Sequence, residues 1–283
     1  MQTSWSRRKF LGLAAGTAAM AAVPGRLRAA ADASNRFGGF DLGMQSYTLR
    51  EFPVDRALEE IKNLGLHTVE FFENHFRHTS SPAEIDAMKS KTQALDIKMR
   101  AHGVNPFTKD HEANRRWFEF AKQAGIRNIS ADPTEDAFDS LDKLCAEYQI
   151  RIGIHNHGPH ARYNKVSDVL SAVKGRNPLI GACADLGHYI RSAEDPVRAI
   201  HLLEGRLFGI HLKDFADQKA QTKGVILGQG HLDVVGVFKA LKKVNFPADG
   251  YLVLEYEENP KDPLPDVRQC LEVAAEAARK ANG

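Results

Sequence analysis

Aspartate, histidine and glutamate side chains interrupt or close several apolar runs of this sequence. Asp185 closes IGACAD, His211 lies within FGIHLKDF, and Glu255 directly follows YLVL. A charged or imidazole group in such a run is costly to bury unless it is paired or binds a metal ion. Carboxylate oxygens and imidazole nitrogens, without a thiolate, suit Mn²⁺, Mg²⁺, Co²⁺ or Zn²⁺. We therefore predict that these three residues bind one divalent metal ion.

A fourth ligand is predicted in the run RIGIHNHG. His155 and His157 are two residues apart there, so on a strand their side chains face the same side. At least one of them can complete the ligand set. We assign His155 as the ligand and keep His157 as the alternative.

The elements that must position these side chains alternate along the chain. From about residue 40, apolar or β-branched runs are separated by amphipathic stretches. The predicted strands cover 40–47, 67–73, 97–104, 127–132, 151–158, 179–188, 207–215 and 250–257. Repeated βα units without hairpin signals indicate parallel strands, and eight units in about 250 residues are typical of a single (β/α)8 TIM barrel. An open doubly wound sheet is the alternative, but the sequence has no G-x-G-x-x-G phosphate motif.

A TIM barrel places its active residues at the carboxyl ends of the strands. Polar residues at the predicted strand ends should therefore converge at one mouth of the barrel. Those that we assign to substrate binding are Glu70, His102, His157 and Lys213. An alternative for Lys213 is a local ion pair with its neighbour Asp214.

The first 31 residues have the order of an export signal. Arginines at positions 7 and 8 precede an apolar stretch over 10–23, which is too short to span a bilayer, and small residues follow at 29–31. This order resembles a twin-arginine signal. We predict a signal peptide over 1–31, a barrel domain over 32–283, and a periplasmic location.

Charge and cysteine content narrow the function classes. The chain has 283 residues, with 38 Lys+Arg and 36 Asp+Glu. Five of the basic residues and none of the acidic ones lie within 1–31, which leaves a net charge of −3 on the remainder. That balance argues against a nucleic-acid partner. The three scattered cysteines exclude a disulfide framework, and no later segment is apolar enough to bind the protein to a membrane after signal cleavage.

These motifs together resemble the xylose isomerase-like TIM barrels, which include the sugar phosphate isomerase/epimerase type. The resemblance covers about 40–275 and is carried by AHGV, ADLGH, GIHLKDF, LGQGHLDVVGVFKAL and LVLEYE. It implies a carbohydrate substrate and a metal ion held by Asp185, His211, Glu255 and a carboxylate from the fifth strand. It also implies that His188 binds substrate, and it allows a homodimer. The chain departs from the family at the fifth strand, where His155 replaces the glutamate.

The resemblance implies a metal-dependent sugar isomerase or epimerase that acts on a keto- or aldo-sugar through an enediolate. Glu255 is the expected base, and His155, His157 or His188 would return the proton, because imidazole titrates near neutral pH. One alternative is a lyase or hydratase that cleaves 3-keto-glycosides by β-elimination. The histidine at position 155 favours that alternative somewhat, because elimination needs an acid for the leaving group. A non-catalytic sugar-binding barrel is the remaining alternative.

Overall fold

Eight of the apolar runs pair in parallel and close into a barrel, which confirms the predicted TIM barrel. The computed structural model describes residues 36–283. The strands in chain order are β1 (Leu42–Gln45), β2 (Thr68–Phe71), β3 (Lys98–Phe107), β4 (Asn128–Pro133), β5 (Arg151–His155), β6 (Ile180–Asp185), β7 (Leu207–Leu212), β8 (Asp214–Phe215), β9 (Gly224–Val225) and β10 (Tyr251–Leu254). The order around the barrel is β1-β10-β7-β6-β5-β4-β3-β2, and β8 and β9 form a separate antiparallel ribbon.

Helices, most of them amphipathic, cover the outside of the barrel. They are α1 (Val54–Asn63), α2 (Pro82–Ala94), α3 (His111–Ala124), α4 (Phe138–Tyr148), α5 (Val166–Val173), α6 (Leu186–Arg191), α7 (Pro196–Leu202), α8 (Val234–Lys243) and α9 (Leu264–Lys280). Local sequence sets several of their ends. Ser81 and Glu84 form a capping box at the start of α2, and Gly125 ends α3 with a φ of 77°.

Six of the eight barrel strands end earlier than the sequence predicts, whereas β3 and β4 extend to Phe107 and Pro133, beyond the predicted ends at 104 and 132. The predicted strand 179–188 stops at Asp185, because the Oδ1 atom of Asp185 accepts the backbone N–H of His188 at 2.7 Å and starts α6. The predicted strand 250–257 stops at Leu254. Several polar residues thus lie just beyond the strands, at the mouth of the barrel.

A tyrosine fills the barrel interior below this mouth. Tyr251 is fully buried and is the register partner of Gly209 on β7. A Cβ atom at Gly209 would lie 2.1 Å from the Tyr251 ring, and one at Gly153 would lie 2.7 Å from its hydroxyl oxygen. These two glycines therefore provide the space that the tyrosine ring occupies.

The predicted signal segment, 1–31, lies outside the described residues. Export and the domain boundary at residue 32 therefore stay predictions. Over residues 36–283, no helix combines the length and the hydropathy that a membrane span requires.

Replacement of Gly209 by alanine should destabilise the barrel. The added methyl group would overlap the Tyr251 ring, and overpacking of a close-packed interior costs about 1–3 kcal/mol. Urea unfolding followed by circular dichroism measures the change. Ser90→Ala on the exposed face of α2 is the control and should stay within about 0.5 kcal/mol of wild type. Equal stabilities of the two variants would contradict the role given to Gly209.

Candidate metal centre

Four buried ionisable residues from neighbouring strands meet at the mouth of the barrel. His155 and Asp185 are the last residues of β5 and β6, His211 lies near the end of β7, and Glu255 follows β10. These strands are consecutive around the barrel. One ligand atom from each residue lies within 4.8 Å of the others. They form the four-residue cluster, and they are the four residues that the sequence predicts as metal ligands.

The distances within the four-residue cluster fit a single divalent ion. His211 Nδ1 lies 3.1 Å from Glu255 Oε2, 3.2 Å from His155 Nε2 and 3.8 Å from Asp185 Oδ2. Nitrogen and oxygen ligands lie about 2.0–2.2 Å from such an ion, so two ligands of one ion are separated by about 3–4 Å. Asp185 Oδ2 is buried, and its neighbours are Lys213 Nζ at 3.1 Å and His155 Nε2 at 3.5 Å. An oxygen in this state is suited to metal coordination.

The two carboxylates of the four-residue cluster are ionised. Burial opposes their charge, but His188, Lys213 and His155 hold the pKa of Asp185 well below its usual range. Burial likewise opposes the charge of Glu255, whose pKa Lys213 and His211 hold below its usual range. Both side chains therefore offer anionic oxygens to a cation.

Two histidines at the mouth are neutral at pH 7. Burial lowers the pKa of His155 to about 3 and the pKa of His188 to about 4. A neutral imidazole nitrogen can bind a metal ion or accept a proton. The His155 ring centroid lies 4.6 Å from that of His157 and 5.9 Å from that of His188, so the three rings form one imidazole face beside the four-residue cluster.

Lys213 faces the four-residue cluster rather than Asp214, so the alternative of a local Lys213–Asp214 ion pair is wrong. Its Nζ atom lies 3.1 Å from Asp185 Oδ2, 2.5 Å from Glu255 Oε2 and 2.6 Å from Glu257 Oε1. Asp214 instead organises the Gly-rich loop, which we define as residues 226–232 after β9. It accepts hydrogen bonds from the backbone N–H groups of Phe215, Gly228, Gly230 and Leu232. The Lys213 ammonium group thus balances part of the negative charge of the site.

Two other residues predicted to bind substrate lie outside the four-residue cluster. Glu70 is fully buried and contacts His211 Nε2 at 2.7 Å. His102 is also buried, its Nε2 atom donates to the Phe76 carbonyl oxygen at 2.7 Å, and Asn105 lies 2.9 Å from its Nδ1 atom. Protein groups thus engage Glu70 and both ring nitrogens of His102. Their assignment to substrate binding stays a prediction.

Sequence reasoning missed Arg191, which helps to line a cavity of about 220 Å³ beside the four-residue cluster. Its guanidinium group donates to the Ala220 carbonyl oxygen at 2.8 Å and lies 3.4 Å from His188 Nδ1. Lys213, Glu255 and Glu257 line the same cavity. The signal for Arg191 was its position three residues after His188, since residues at that spacing share one face of a helix.

A family model described as xylose isomerase-like TIM barrel matches residues 58–276 of the chain. Over 180 residues the chain is 26% identical to 3-oxo-isoapionate decarboxylase of Pectobacterium atrosepticum, which covers 57% of this chain and 63% of that protein. Over 138 residues it is 29% identical to inosose dehydratase of Clostridium botulinum, which covers 43% of this chain and 45% of that protein. The chain thus spans less than two thirds of the length of either relative.

Solved structures share the same barrel. A protein from Parabacteroides distasonis superposes with a TM-score of 0.65 at 28% identity, covering 82% of this chain and 97% of that one. The 3-keto-D-glucoside 4-epimerase from Escherichia coli superposes with a TM-score of 0.65 at 17% identity, covering 83% of this chain and 98% of that one. At that lower identity the likeness concerns the fold alone.

Asp185→Asn should weaken metal binding without unfolding the protein. Asparagine keeps the side-chain oxygen that caps α6 but loses the carboxylate charge. Loss of a residue that hydrogen-bonds to a metal ligand typically lowers metal affinity 10–100-fold. Loss of the charged oxygen of a ligand itself should lower Mn²⁺ affinity by at least about the same factor. Isothermal titration with Mn²⁺ measures the affinity. Asp195→Asn, at the start of the neighbouring α7, is the matched control. Equal affinities of the two variants would exclude Asp185 as a ligand.

Proposed function

The chain belongs to the xylose isomerase-like TIM barrel family, and on that premise we propose that it is a divalent-metal-dependent enzyme acting on a ketone-bearing carbohydrate. The proposed step is removal of a proton from the carbon next to the ketone. The observation that supports it best is the four-residue cluster, whose ligand atoms lie within 4.8 Å of one another. Isomerisation or epimerisation of a free sugar is the first candidate reaction.

Each polar group at the mouth has a task in this reaction. A divalent ion held by the four-residue cluster would polarise the ketone and stabilise the charge that develops on its oxygen. Glu255 is the proposed base, because it is ionised and its contacts with His211 and Lys213 are both made through Oε2, which leaves Oε1 for the substrate. Lys213 lines the cavity and is the residue assigned to orient a substrate oxygen.

The imidazole face supplies the second proton-transfer group. His188 lies on α6, and its ring centroid is 5.5 Å from that of His157. Because these rings are neutral, a histidine of this group would first take up a proton, from Glu255 or from solvent, and then deliver it to another atom or face of the substrate, with His155 and His188 as the assigned residues. General acid–base catalysis of this kind contributes about 10²–10⁴-fold to a rate.

A second candidate reaction is β-elimination from a 3-keto-glycoside. The observation that favours it is the chemical asymmetry of the site, with the carboxylate of Glu255 just after β10 and the imidazole of His155 at the end of β5. Elimination needs one base and one acid for the leaving group. Glu255 would be the base, and His155 would serve as the acid once it has taken up a proton. Two of the relatives are named as a dehydratase and a decarboxylase, which are also lyase activities.

We also propose that the carbohydrate is met outside the cytoplasm. The support is the twin-arginine motif within 1–31. The proposed partner of the site is then a small-molecule carbohydrate. Assembly of the chain into a homodimer stays a prediction.

Incubation with a methyl 3-keto-glucoside in D₂O tests the proposal. The full-length chain is loaded with Mn²⁺, and mass spectrometry follows deuterium uptake and loss of methanol. Deuterium uptake with the glycosidic bond intact supports an isomerase or epimerase, and loss of methanol supports a lyase. If the protein retains Mn²⁺ but shows neither deuterium uptake nor loss of methanol, the enzymatic proposal is overturned and a binding protein remains. A sample treated with a chelator is the control.

Glu255→Gln should abolish most of the turnover while the fold is kept. The amide is nearly isosteric but cannot accept the substrate proton, so kcat should fall by about 10²–10⁴-fold. Steady-state kinetics measure the loss, and thermal unfolding checks the fold. Glu276→Gln, on the outer helix α9, is the control and should keep wild-type activity. Turnover by Glu255→Gln within twofold of wild type would exclude Glu255 as the base.

His155→Glu should distinguish the two candidate reactions. It places a carboxylate at the fifth strand, so an enzyme that works by elimination loses the imidazole that would carry a proton to the leaving group. If the enzyme is a lyase, cleavage should fall by about 10²-fold or more while deuterium exchange continues. If it is an epimerase, exchange and epimerisation should change together. Cleavage at the wild-type rate would show that His155 does not protonate the leaving group.

A further inference from the structure

Glu70 approaches the four-residue cluster from inside the barrel. It lies on β2, whereas His211 lies on β7, and 141 residues separate the two in sequence. Strands β10 and β1 lie between β7 and β2 around the barrel. The contact at 2.7 Å between Glu70 Oε2 and His211 Nε2 therefore crosses the interior below the mouth.

The His211 ring has two distinct sides. Its Nδ1 atom faces the other three members of the four-residue cluster, at 3.1–3.8 Å. Its Nε2 atom faces the carboxylate of Glu70, at 2.7 Å. An ionised carboxylate can only accept a hydrogen bond. His211 Nε2 must then carry a hydrogen. Nδ1, which lies 3.1 Å from Glu255 Oε2, is the nitrogen that would give up any hydrogen it carries when a metal ion binds.

Glu70 itself is held in place. The hydroxyl group of Ser130, on β4, donates a short hydrogen bond to its Oε1 atom. Gly103 lies against this serine, where a Cβ atom would come within 2.0 Å of Ser130 Oγ. The carboxylate is fully buried and both of its oxygens contact protein groups. It is therefore placed to act on His211 rather than on a substrate.

We propose that Glu70 is a positioning residue that fixes the Nε2–H tautomer and the ring orientation of His211, so that Nδ1 is available to a divalent ion. The inference rests on the proposed function, because it takes the four-residue cluster to be a metal site. Ligating histidines commonly donate their second N–H to a carboxylate, which makes the ligand more basic. Glu70 would thus raise metal affinity without touching the ion or the substrate.

Titration of the full-length chain with Mn²⁺ tests the inference. Glu70→Gln keeps the shape of the side chain but loses its charge, and it should weaken Mn²⁺ binding by about 10–100-fold. Ser130→Ala frees one oxygen of Glu70 and should give a smaller loss. Glu73→Gln is the matched control, since Glu73 belongs to the same segment but pairs with His78, and it should bind as wild type does. Affinity of a folded Glu70→Gln variant within twofold of wild type would overturn the inference.

A spectroscopic readout covers the case in which Glu70→Gln fails to fold. Long-range ¹H–¹⁵N correlation spectra of the Zn²⁺-loaded wild type report which His211 nitrogen carries hydrogen. Hydrogen on Nε2 supports the inference, and hydrogen on Nδ1 overturns it. Wild type that binds neither ion would overturn the proposed function and this inference together. A large loss of affinity in Glu70→Gln, with no activity on keto-sugars in wild type, would support the inference alone.

Discussion

Ionised carboxylates buried at the mouth of a closed barrel are the constraint on which this structure depends. Asp185 and Glu255 lose most of their contact with water, and a buried carboxylate is unfavourable unless a cation or hydrogen-bond donors offset it. Lys213 supplies one such charge from the strand end that also carries His211. The barrel makes this arrangement feasible, because the carboxyl ends of neighbouring strands hold the four side chains at one point without moving the backbone.

The fold and the four-residue cluster could be predicted from the sequence because both depend on position along the chain. Alternating runs fix the number of strands, and strand ends share one mouth. Contacts across the interior leave no such local pattern, so the approach of Glu70 to His211 could not be predicted. The ion-pair partner of Lys213 could not be predicted from the sequence either. Whether its side chain pairs with Asp214 or with the four-residue cluster depends on how the Gly-rich loop folds. The N-terminal segment remains known from its residue pattern alone.

The histidine at position 155 gives the site two chemically different sides. Glu255 is an anion held beside Lys213, whereas His155 and His188 are neutral rings that burial keeps uncharged. A pair of glutamates would be symmetrical, with either able to give or take a proton. Here the two sides differ in charge and in how strongly they hold a proton.

Three residues in the short segment HLKD, at the end of β7, have different roles. His211 belongs to the four-residue cluster, Lys213 faces the cavity, and Asp214 gathers backbone N–H groups from the loop that follows β9. The stretch 216–223, which links β8 to β9, is anchored at both of its ends by this ribbon. Insertions or deletions in 216–223 can therefore reshape the rim of the cavity while the ligands stay fixed. Sequence changes in 216–223 are therefore a route by which this barrel can evolve new substrate preferences.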